Sequence, residues 1–356
     1  MITILSFFFV IGIVVFLHEL GHFLAAKSVG VKVEKFYLGF NLFGLGIKKI
    51  YKETEYGIGL FPLGGYVKVA GVIDESLDTK HTGDPNEFRS KNTLQKTWIM
   101  SAGVIMNFIL SILLFSYLTY YSGINDPDPQ AIIGHLIPDY PAETLGMKVG
   151  DQIISINGNK VSNWEEMTSE IHSKPDELIK LSWESDGMLF DGSLRTKIAE
   201  QLPWNNEIKQ GMIGIAPIYH HRDAKFMESF SNGFIQTYHW LKLTCRSLIA
   251  LMTGDVSMKE MAGPIMIAKM AGETASAGGI MALLGLMAII SVNLGLINIL
   301  PIPGLDGGHV LIAIIEGVIQ KELPIKIRLG IQQVGMLLLL ILFFTIMFND
   351  VQRLMQ

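Results

Sequence analysis

Four long apolar segments constrain the fold of this 356-residue chain more than any other feature. The first runs from Ile2 to about Ala26, and the others lie within residues 96–126, 273–306 and 328–350. About 20 apolar residues make a helix that crosses the hydrocarbon core of a bilayer. We therefore expect four transmembrane helices. The first segment is a poor signal peptide, because it lacks a basic start and a small-residue cleavage site.

The distribution of charge predicts an orientation in the membrane. Residues 27–96 hold eleven Lys and Arg, whereas residues 126–273 hold thirteen Lys and Arg against twenty Asp and Glu. By the positive-inside rule the first segment is cytoplasmic, the second is extracytoplasmic and both termini lie outside. The net charge of −5 argues against nucleic acid as a partner. The one cysteine, Cys245, excludes an intrachain disulfide and a thiolate zinc cluster.

Residues 18–22 read His-Glu-Leu-Gly-His near the end of the first apolar segment. Two histidines four residues apart lie on one face of a helix, so both imidazoles can reach one metal ion. The intervening glutamate can take a proton from water that zinc has acidified to a pKa of about 7. Ionisable side chains at membrane depth are costly unless they face a ligand or a wet cavity. The pattern predicts a zinc site with His18 and His22 as ligands and Glu19 as the catalytic base.

A third protein ligand is expected, because catalytic zinc sites normally have three. The best candidate is Asp306, which follows Pro301, Pro303 and Gly304 at the end of the third apolar segment. These residues cannot continue a regular helix, and unwound backbone at membrane depth is tolerated only in protein or beside a cavity. His309 is the second candidate, ranked lower because it lies farther along the exit from the break.

Two distant motifs together resemble the site-2 protease family of intramembrane metalloproteases. They are His18-Glu-Leu-Gly-His22 and Asn298-x-x-Pro-x-Pro-x-Leu-Asp306-Gly. The resemblance covers almost the whole chain and includes Thr253-Gly-Asp255 and Gly263-Pro-Ile-Met-Ile-Ala-Lys269.

This resemblance implies four spans, an active site toward the cytoplasmic leaflet, and the same ligands and base by motif position. It also implies that Asn293 and Asn298 contact the substrate strand or a developing oxyanion. Amide donors suit this role, because they stabilise negative charge without themselves burying a charge. Helix–helix hydrogen bonding is the alternative for both asparagines.

The segment Tyr56–Val69 combines β-type residues with glycine and proline, which is typical of a hairpin. The resemblance implies a membrane-associated β-loop here. An exposed strand edge can pair with an unwound substrate through main-chain hydrogen bonds. We expect Gly57, Gly59, Leu60 and Gly64 to bind substrate in this way, although the sequence does not distinguish the edge strand.

Residues 126 to about 217 are polar enough for a soluble domain, and their glycine and proline pattern resembles one PDZ domain. The residues that carry this resemblance are Pro141-Ala142, Gly146, Gly150-Asp151 and Ile156-Asn-Gly158. Alternating apolar residues at 153–156 predict a strand, and Asn157-Gly158 predicts a turn. The expected partners of this domain are peptide termini or bulky extracytoplasmic domains, which it binds or filters by size.

The expected fold class is an α-helical polytopic membrane protein of about four transmembrane helices, with a membrane-associated β-loop and one inserted α+β PDZ domain. Apolar residues at helical spacing predict an amphipathic surface helix over Phe226–Met252, and Gly263–Gly272 is a candidate second one. The predicted domains are residues 1–122 (first half of the catalytic core), 123–220 (extracytoplasmic PDZ domain), 221–274 (membrane-surface or clamp helices) and 275–356 (second half of the core).

These features predict an intramembrane zinc metalloendopeptidase, with Zn²⁺ as cofactor and membrane lipid as one partner. The resemblance implies a location in the bacterial inner membrane. It also implies that the substrates are single-span membrane proteins, such as anti-sigma factors or signal-peptide remnants, cut after a first cleavage. One alternative is a membrane-anchored PDZ scaffold without protease activity, which predicts no bound metal. Another is a membrane-anchored zincin that cleaves extracytoplasmic peptides, which requires His18 and His22 to lie in water.

Overall fold

The computed structural model describes residues 1–40, 46–59, 61–72, 84–198 and 210–355. Backbone contacts divide the chain into two compact units. The first unit, the core unit, comprises Met1–Thr119, Phe226–Cys245 and Ser257–Gln356. The second comprises Tyr120–Lys225 and Arg246–Val256.

The described residues form five long α-helices and three shorter ones. They are α1 (Ile2–Ser28), α2 (Thr93–Ser122), α3 (Pro141–Thr144), α4 (Trp164–His172), α5 (Phe226–Thr253), α6 (Pro264–Ile299), α7 (Asp306–Ile319) and α8 (Ile325–Met355). Short 3₁₀ turns occupy Phe88–Ser90 and Met258–Glu260.

The strands fall into one group after α1 and another between α2 and α5. The first group is β1 (Val33–Phe40), β2 (Gly46–Tyr51), β3 (Thr54–Gly59) and β4 (Phe61–Val69). The second is β5 (Ile124–Pro127), β6 (Ile133–Leu136), β7 (Gln152–Ile156), β8 (Asn159–Lys160), β9 (Leu178–Ser185), β10 (Met188–Arg195), β11 (Lys197–Ile198), β12 (Gly211–Met212), β13 (Ile215–Pro217) and β14 (Tyr219–Arg222).

Four helices, α1, α2, α6 and α8, are long and apolar enough to cross a membrane, which confirms the four predicted spans. In the core unit, Val10 and Val14 of α1 pack with Leu110 of α2 and with Leu283 and Met287 of α6. The first span thus lies against the second and third. This packing carries the His-Glu-Leu-Gly-His segment of α1 into the bundle.

The third apolar helix unwinds where the prolines predicted. α6 ends at Ile299 and α7 begins at Asp306, and Gly304 between them has a φ of 96°. A Cβ atom on Gly307 would lie 2.2 Å from the carbonyl oxygen of Ile299, and one on Gly335 of α8 would lie 2.0 Å from that of Pro303. Only glycine fits at these two positions, so the close contacts fix the start of α7 beside the break.

The strand order of the sheet after α1 identifies its edge strands, which the sequence did not distinguish. Its order is β2-β3-β1-β4, with β1 and β3 parallel and the other neighbours antiparallel. The strands β2 and β4 are therefore the two edges. All of β2 is exposed.

The second unit contains several small sheets and short helices, which is the α+β composition predicted for the inserted domain. Its larger sheet has the order β10-β9-β7-β8, and β13 pairs with β6. The predicted strand at 153–156 lies in β7, and the turn that follows has positive φ at Asn157 (51°) and Gly158 (82°). Such φ values suit a two-residue hairpin turn. Buried side chains from β7, β9 and α4, among them Ile153, Leu181 and Met167, form one core.

The predicted amphipathic helix is α5, whose core-unit part binds α2 through polar groups. Asn232 donates to Thr119, and Thr237 shares a hydrogen bond of 3.2 Å with Ser111. Large apolar side chains such as Phe234 remain exposed on the same helix. An apolar outer face and a polar contact face suit a helix that lies against lipid.

The start of α6 is helical, as predicted for the candidate second amphipathic helix at Gly263–Gly272. Non-helical backbone at Gly279 (φ 61°, ψ −150°) divides α6 into this first helix and the helix of the third span. The start of the first helix is capped by the fully buried carboxylate of Asp350 in α8. It accepts hydrogen bonds from the backbone N–H groups of Gly263, Ile265 and Met266 at 3.0–3.1 Å. These would otherwise be unpaired donors at a helix start.

We predict that Asp350→Asn destabilises the core unit by about 2 kcal/mol, because an amide nitrogen would face backbone donors in a buried site. Thermal unfolding of the purified protein in detergent measures this change. The control is Asp186→Asn, at an exposed turn with φ 51°, a conformation that asparagine tolerates. An unchanged midpoint for Asp350→Asn would contradict the capping role.

Candidate active site

The site begins with a close approach of α1 and α2. A Cβ atom on Gly21 would lie 2.4 Å from the carbonyl oxygen of Ala102, and one on Gly103 would lie 2.4 Å from His22 Nε2. Small residues at helix crossings let backbones approach in this way. The absent side chain of Gly103 leaves the space that the two imidazoles occupy.

Three potential metal ligands converge beside this crossing. Asp306 Oδ2 lies 3.2 Å from His18 Nε2 and 3.2 Å from His22 Nε2, and the two nitrogens are 3.2 Å apart. Neighbouring ligands of a tetrahedral zinc ion at about 2.0–2.1 Å are separated by roughly 3.3 Å. Asp306 Oδ2 is buried, and no hydrogen bond from the described residues reaches it. The donor set, the spacing and the unsatisfied oxygen all fit a zinc ion.

Neighbouring groups orient the two imidazoles. His22 Nδ1 donates to the carbonyl oxygen of Ile99 at 2.8 Å, which leaves its Nε2 lone pair available for a metal. His18 Nδ1 lies 3.2 Å from the amide of Asn107, a residue with no exposed surface. The Oδ1 atom of Asn107 has no hydrogen-bond partner among the described residues. Exchanging the oxygen and nitrogen positions of the Asn107 amide lets its Oδ1 accept a hydrogen bond from His18 Nδ1–H. The lone pair of His18 Nε2 is then available for a metal, as that of His22 Nε2 is.

The two predicted asparagines lie in different surroundings. Asn298 Nδ2 is 3.3 Å from His18 Nε2, and Asn298 lines the cavity that contains the ligand atoms. Asn293 Oδ1 instead accepts a hydrogen bond of 2.7 Å from Thr244 of α5. The structure therefore brings Asn298 to the site and pairs Asn293 with a neighbouring helix.

The cavity has a volume of about 720 Å³ and lies wholly within the core unit. It contains the three converging ligand atoms and the side chain of Glu19. Residues 65–69 of the edge strand β4 form part of its wall, and His309 and Gln332 also line it. His309 thus lies at the cavity but outside the convergent His18, His22 and Asp306 group.

The glycines of the β-loop occupy distinct positions. Gly57 lies on the internal strand β3, where a Cβ atom would be 2.2 Å from the ring of Tyr37. Gly59 is at the end of the same strand. Gly64 lies in the edge strand β4 with a φ of 147°. Leu60 is outside the described residues.

Three residues that the sequence patterns missed complete the site. Gly103 and Asn107 approach the histidines from α2, and a Cβ atom on Gly65 of β4 would lie 3.5 Å from Glu19 Cγ. A buried asparagine in an apolar span is itself a signal of function. Asn107 was therefore detectable in the sequence, whereas the two glycines depend on which backbones meet.

A buried site of two imidazoles and one carboxylate, among helices of membrane length, defines a candidate membrane-embedded metalloenzyme. The chain belongs to peptidase family M50, whose model matches residues 6–342.

Relatives resemble the chain along most of its length. A protein of Clostridium acetobutylicum is 34% identical over 350 residues, covering 98% of this chain and 96% of its own. Zinc metalloprotease RasP of Geobacillus kaustophilus is 28% identical over 424 residues, and the match covers 99% of this chain and 98% of the RasP chain. The PDZ domain of an SdrC-like protein from Listeria monocytogenes covers 27% of this chain and 94% of its own, with 20% identity and a TM-score of 0.22.

We predict that Gly103→Ala weakens zinc binding by about 10- to 100-fold, the effect typical of disturbing groups that orient metal ligands. The added methyl group must displace both imidazoles. Metal content after dialysis against graded zinc buffers measures the change. The matched control is Gly12→Ala in α1, where a Cβ atom meets nothing within 4 Å. Equal zinc affinity in both variants would contradict the proposed packing.

Proposed function

We propose that this zinc metalloprotease of peptidase family M50 hydrolyses peptide bonds in the transmembrane segments of single-span membrane proteins. The observation that carries this proposal is the convergence of His18, His22 and Asp306 in a cavity among membrane-length helices. A water-filled surface cleft would suit soluble peptides instead. Anti-sigma factors and signal-peptide remnants, after a first cut elsewhere, are the substrate classes that the sequence resemblance suggests.

In this proposal His18, His22 and Asp306 hold the zinc, and Glu19 acts as general base. Bound zinc supplies Lewis acidity, which polarises a peptide carbonyl and acidifies water. Glu19 is adjacent in sequence to a ligand and lines the same cavity, so it can take the proton of the attacking water and pass it to the leaving amine. The fixed tautomer of His22 supports its role as a ligand.

The substrate must be unwound before attack, because helical carbonyls are engaged in hydrogen bonds and shielded by side chains. Strand β4 is an edge strand of its sheet, and its residues 65–69 line the cavity wall. We infer that the unwound segment pairs with this strand, which recognises backbone rather than side chains. Gly64 and Gly65 lie on β4, whereas Gly57 is on an internal strand. This location favours the first two as the glycines beside bound substrate.

Asn298 is the better supported of the two asparagines as a substrate contact. Its amide nitrogen lies beside His18 and faces the cavity, where a donor can stabilise charge on the reacting carbonyl oxygen. Asn293 can contact the substrate only if its hydrogen bond with Thr244 breaks.

The charge pattern supports a location in the bacterial cytoplasmic membrane, with the active site toward the cytoplasm and the PDZ domain outside. Within the PDZ unit, a groove of about 230 Å³ runs between α4 and residues 211–217. Its apolar lining includes Met167, Ile171 and Ile213. These features suit an extended peptide end, and we infer that the domain gates or filters substrates through such contacts.

We predict that Glu19→Gln keeps its zinc and loses cleavage of a single-span reporter by about 10²- to 10⁴-fold, because the general base is lost. Product formation in detergent or in co-expressing cells, with zinc measured by elemental analysis, tests this. Glu165→Gln, on the exposed face of α4, is the control. Loss of zinc from Glu19→Gln, or undiminished cleavage by it, would contradict the assignment of the base.

We predict that Asp306→Asn loses cleavage and weakens zinc binding by at least the 10- to 100-fold typical of a lost outer-shell partner. His309→Ala separates the two candidates for the third ligand, and we expect it to retain zinc. Full zinc in Asp306→Asn, together with loss of zinc in His309→Ala, would transfer the ligand role to His309.

A further inference from the structure

Gln332 is a buried amide whose role the catalytic assignment does not explain. It lies in the first half of α8 with 4% of its surface exposed, and it lines the catalytic cavity together with Asp306 and His309. No hydrogen bond to its side chain is found within the part of the chain that the structure describes. Its amide atoms are not among the fully buried unpaired ones, so they keep accessible surface where Gln332 lines the cavity. An amide left open at a cavity wall is therefore available to a ligand.

The packing of α8 holds Gln332 in this position. Gly335, three residues later on the same helix face, contacts Pro303 of the unwound segment so closely that no Cβ atom fits. Leu339, a further turn along, lies against Gly304. One turn earlier, Arg328 donates to Glu316 through both Nε and Nη2. This helix face is therefore fixed against the break and α7, and Arg328 is already engaged with another partner.

The chemistry of an extended substrate identifies what this amide can bind. A strand carries N–H and C=O groups along two edges, and pairing with β4 satisfies only one of them. The other edge enters the cavity among the helices, and backbone groups buried there without a partner are costly. A carboxamide both donates and accepts, as a peptide group does.

We propose that Gln332 is a substrate-binding residue, whose carboxamide bonds the main chain of the unwound substrate along the edge that β4 leaves open. This inference rests on the proposed function. It adds a substrate contact from the last span to the contact that the edge strand makes. Because the contact is with backbone, it adds affinity without selecting side chains.

The test compares Gln332→Met with Gln333→Met. Methionine conserves the length of glutamine and removes its hydrogen bonds, and Gln333 is the exposed neighbour on the same helix. Binding of a fluorescently labelled single-span reporter is measured in the inactive Glu19→Gln background, and kcat and KM are measured in the active one. We expect Gln332→Met to raise Kd and KM about tenfold, the effect of losing one or two hydrogen bonds, with zinc content unchanged. Gln333→Met should match the parent protein.

A second variant guards against misfolding. Gln332→Asn keeps a polar group but withdraws it by one methylene, so it should also weaken reporter binding while retaining zinc and thermal stability. Unchanged Kd in both Gln332 variants would overturn the proposal. The proposal would also be overturned if the Gln332 variants lost zinc or stability while their zinc-loaded molecules bound the reporter with unchanged affinity. Failure of the parent protein to cleave any single-span reporter would instead contradict the proposed function, and the role of Gln332 with it.

Discussion

The meeting of two imidazoles with one carboxylate inside an apolar helix bundle is the constraint on which the core unit depends. His18 and His22 are buried in the first span, and Asp306 reaches them from the end of the unwound third span. Buried ionisable groups are costly unless they are paired or bind a metal. A shared zinc ion would offset this cost at one point and link two segments nearly 300 residues apart in sequence. The glycine contacts at the α1–α2 crossing and at the break bring the ligands to that point.

The same contacts suit the proposed substrate, a transmembrane segment that arrives from the bilayer. The cavity is bounded by helices on several sides and by one edge strand, so an unwound segment can exchange its helical hydrogen bonds for bonds to β4. Asn298 and Gln332 add amides to a wall that is otherwise largely apolar. In the proposed function these two amides bind the substrate backbone or stabilise charge.

Local spacing in the sequence was sufficient to predict much of this structure. The four spans follow from segment length, the break before Asp306 follows from its prolines, and the turn at Asn157 follows from local backbone preference. The convergence of His18, His22 and Asp306 was also expected, because an ionisable residue at membrane depth needs a partner. These predictions share one property: each depends on residues close in sequence or on an uncommon residue type in apolar surroundings.

Features set by helix rotation and strand order could not be predicted. Nothing in the sequence shows that Asn293 faces Thr244 while Asn298 faces His18, since both lie on one apolar helix. The edge position of β4 depends on the pairing of β1 with β3, a parallel contact between strands that are not consecutive. The capping of the start of α6 depends on Asp350, more than 80 residues later. Each of these is a tertiary contact without a local signal.

The most direct test of the central claim is X-ray absorption at the zinc edge of the purified, catalytically competent protein. The account predicts one zinc per chain, with scattering from two imidazole rings and from oxygen at about 2.0–2.2 Å. A competent protein without zinc, or a zinc spectrum that lacks imidazole scattering, would contradict it.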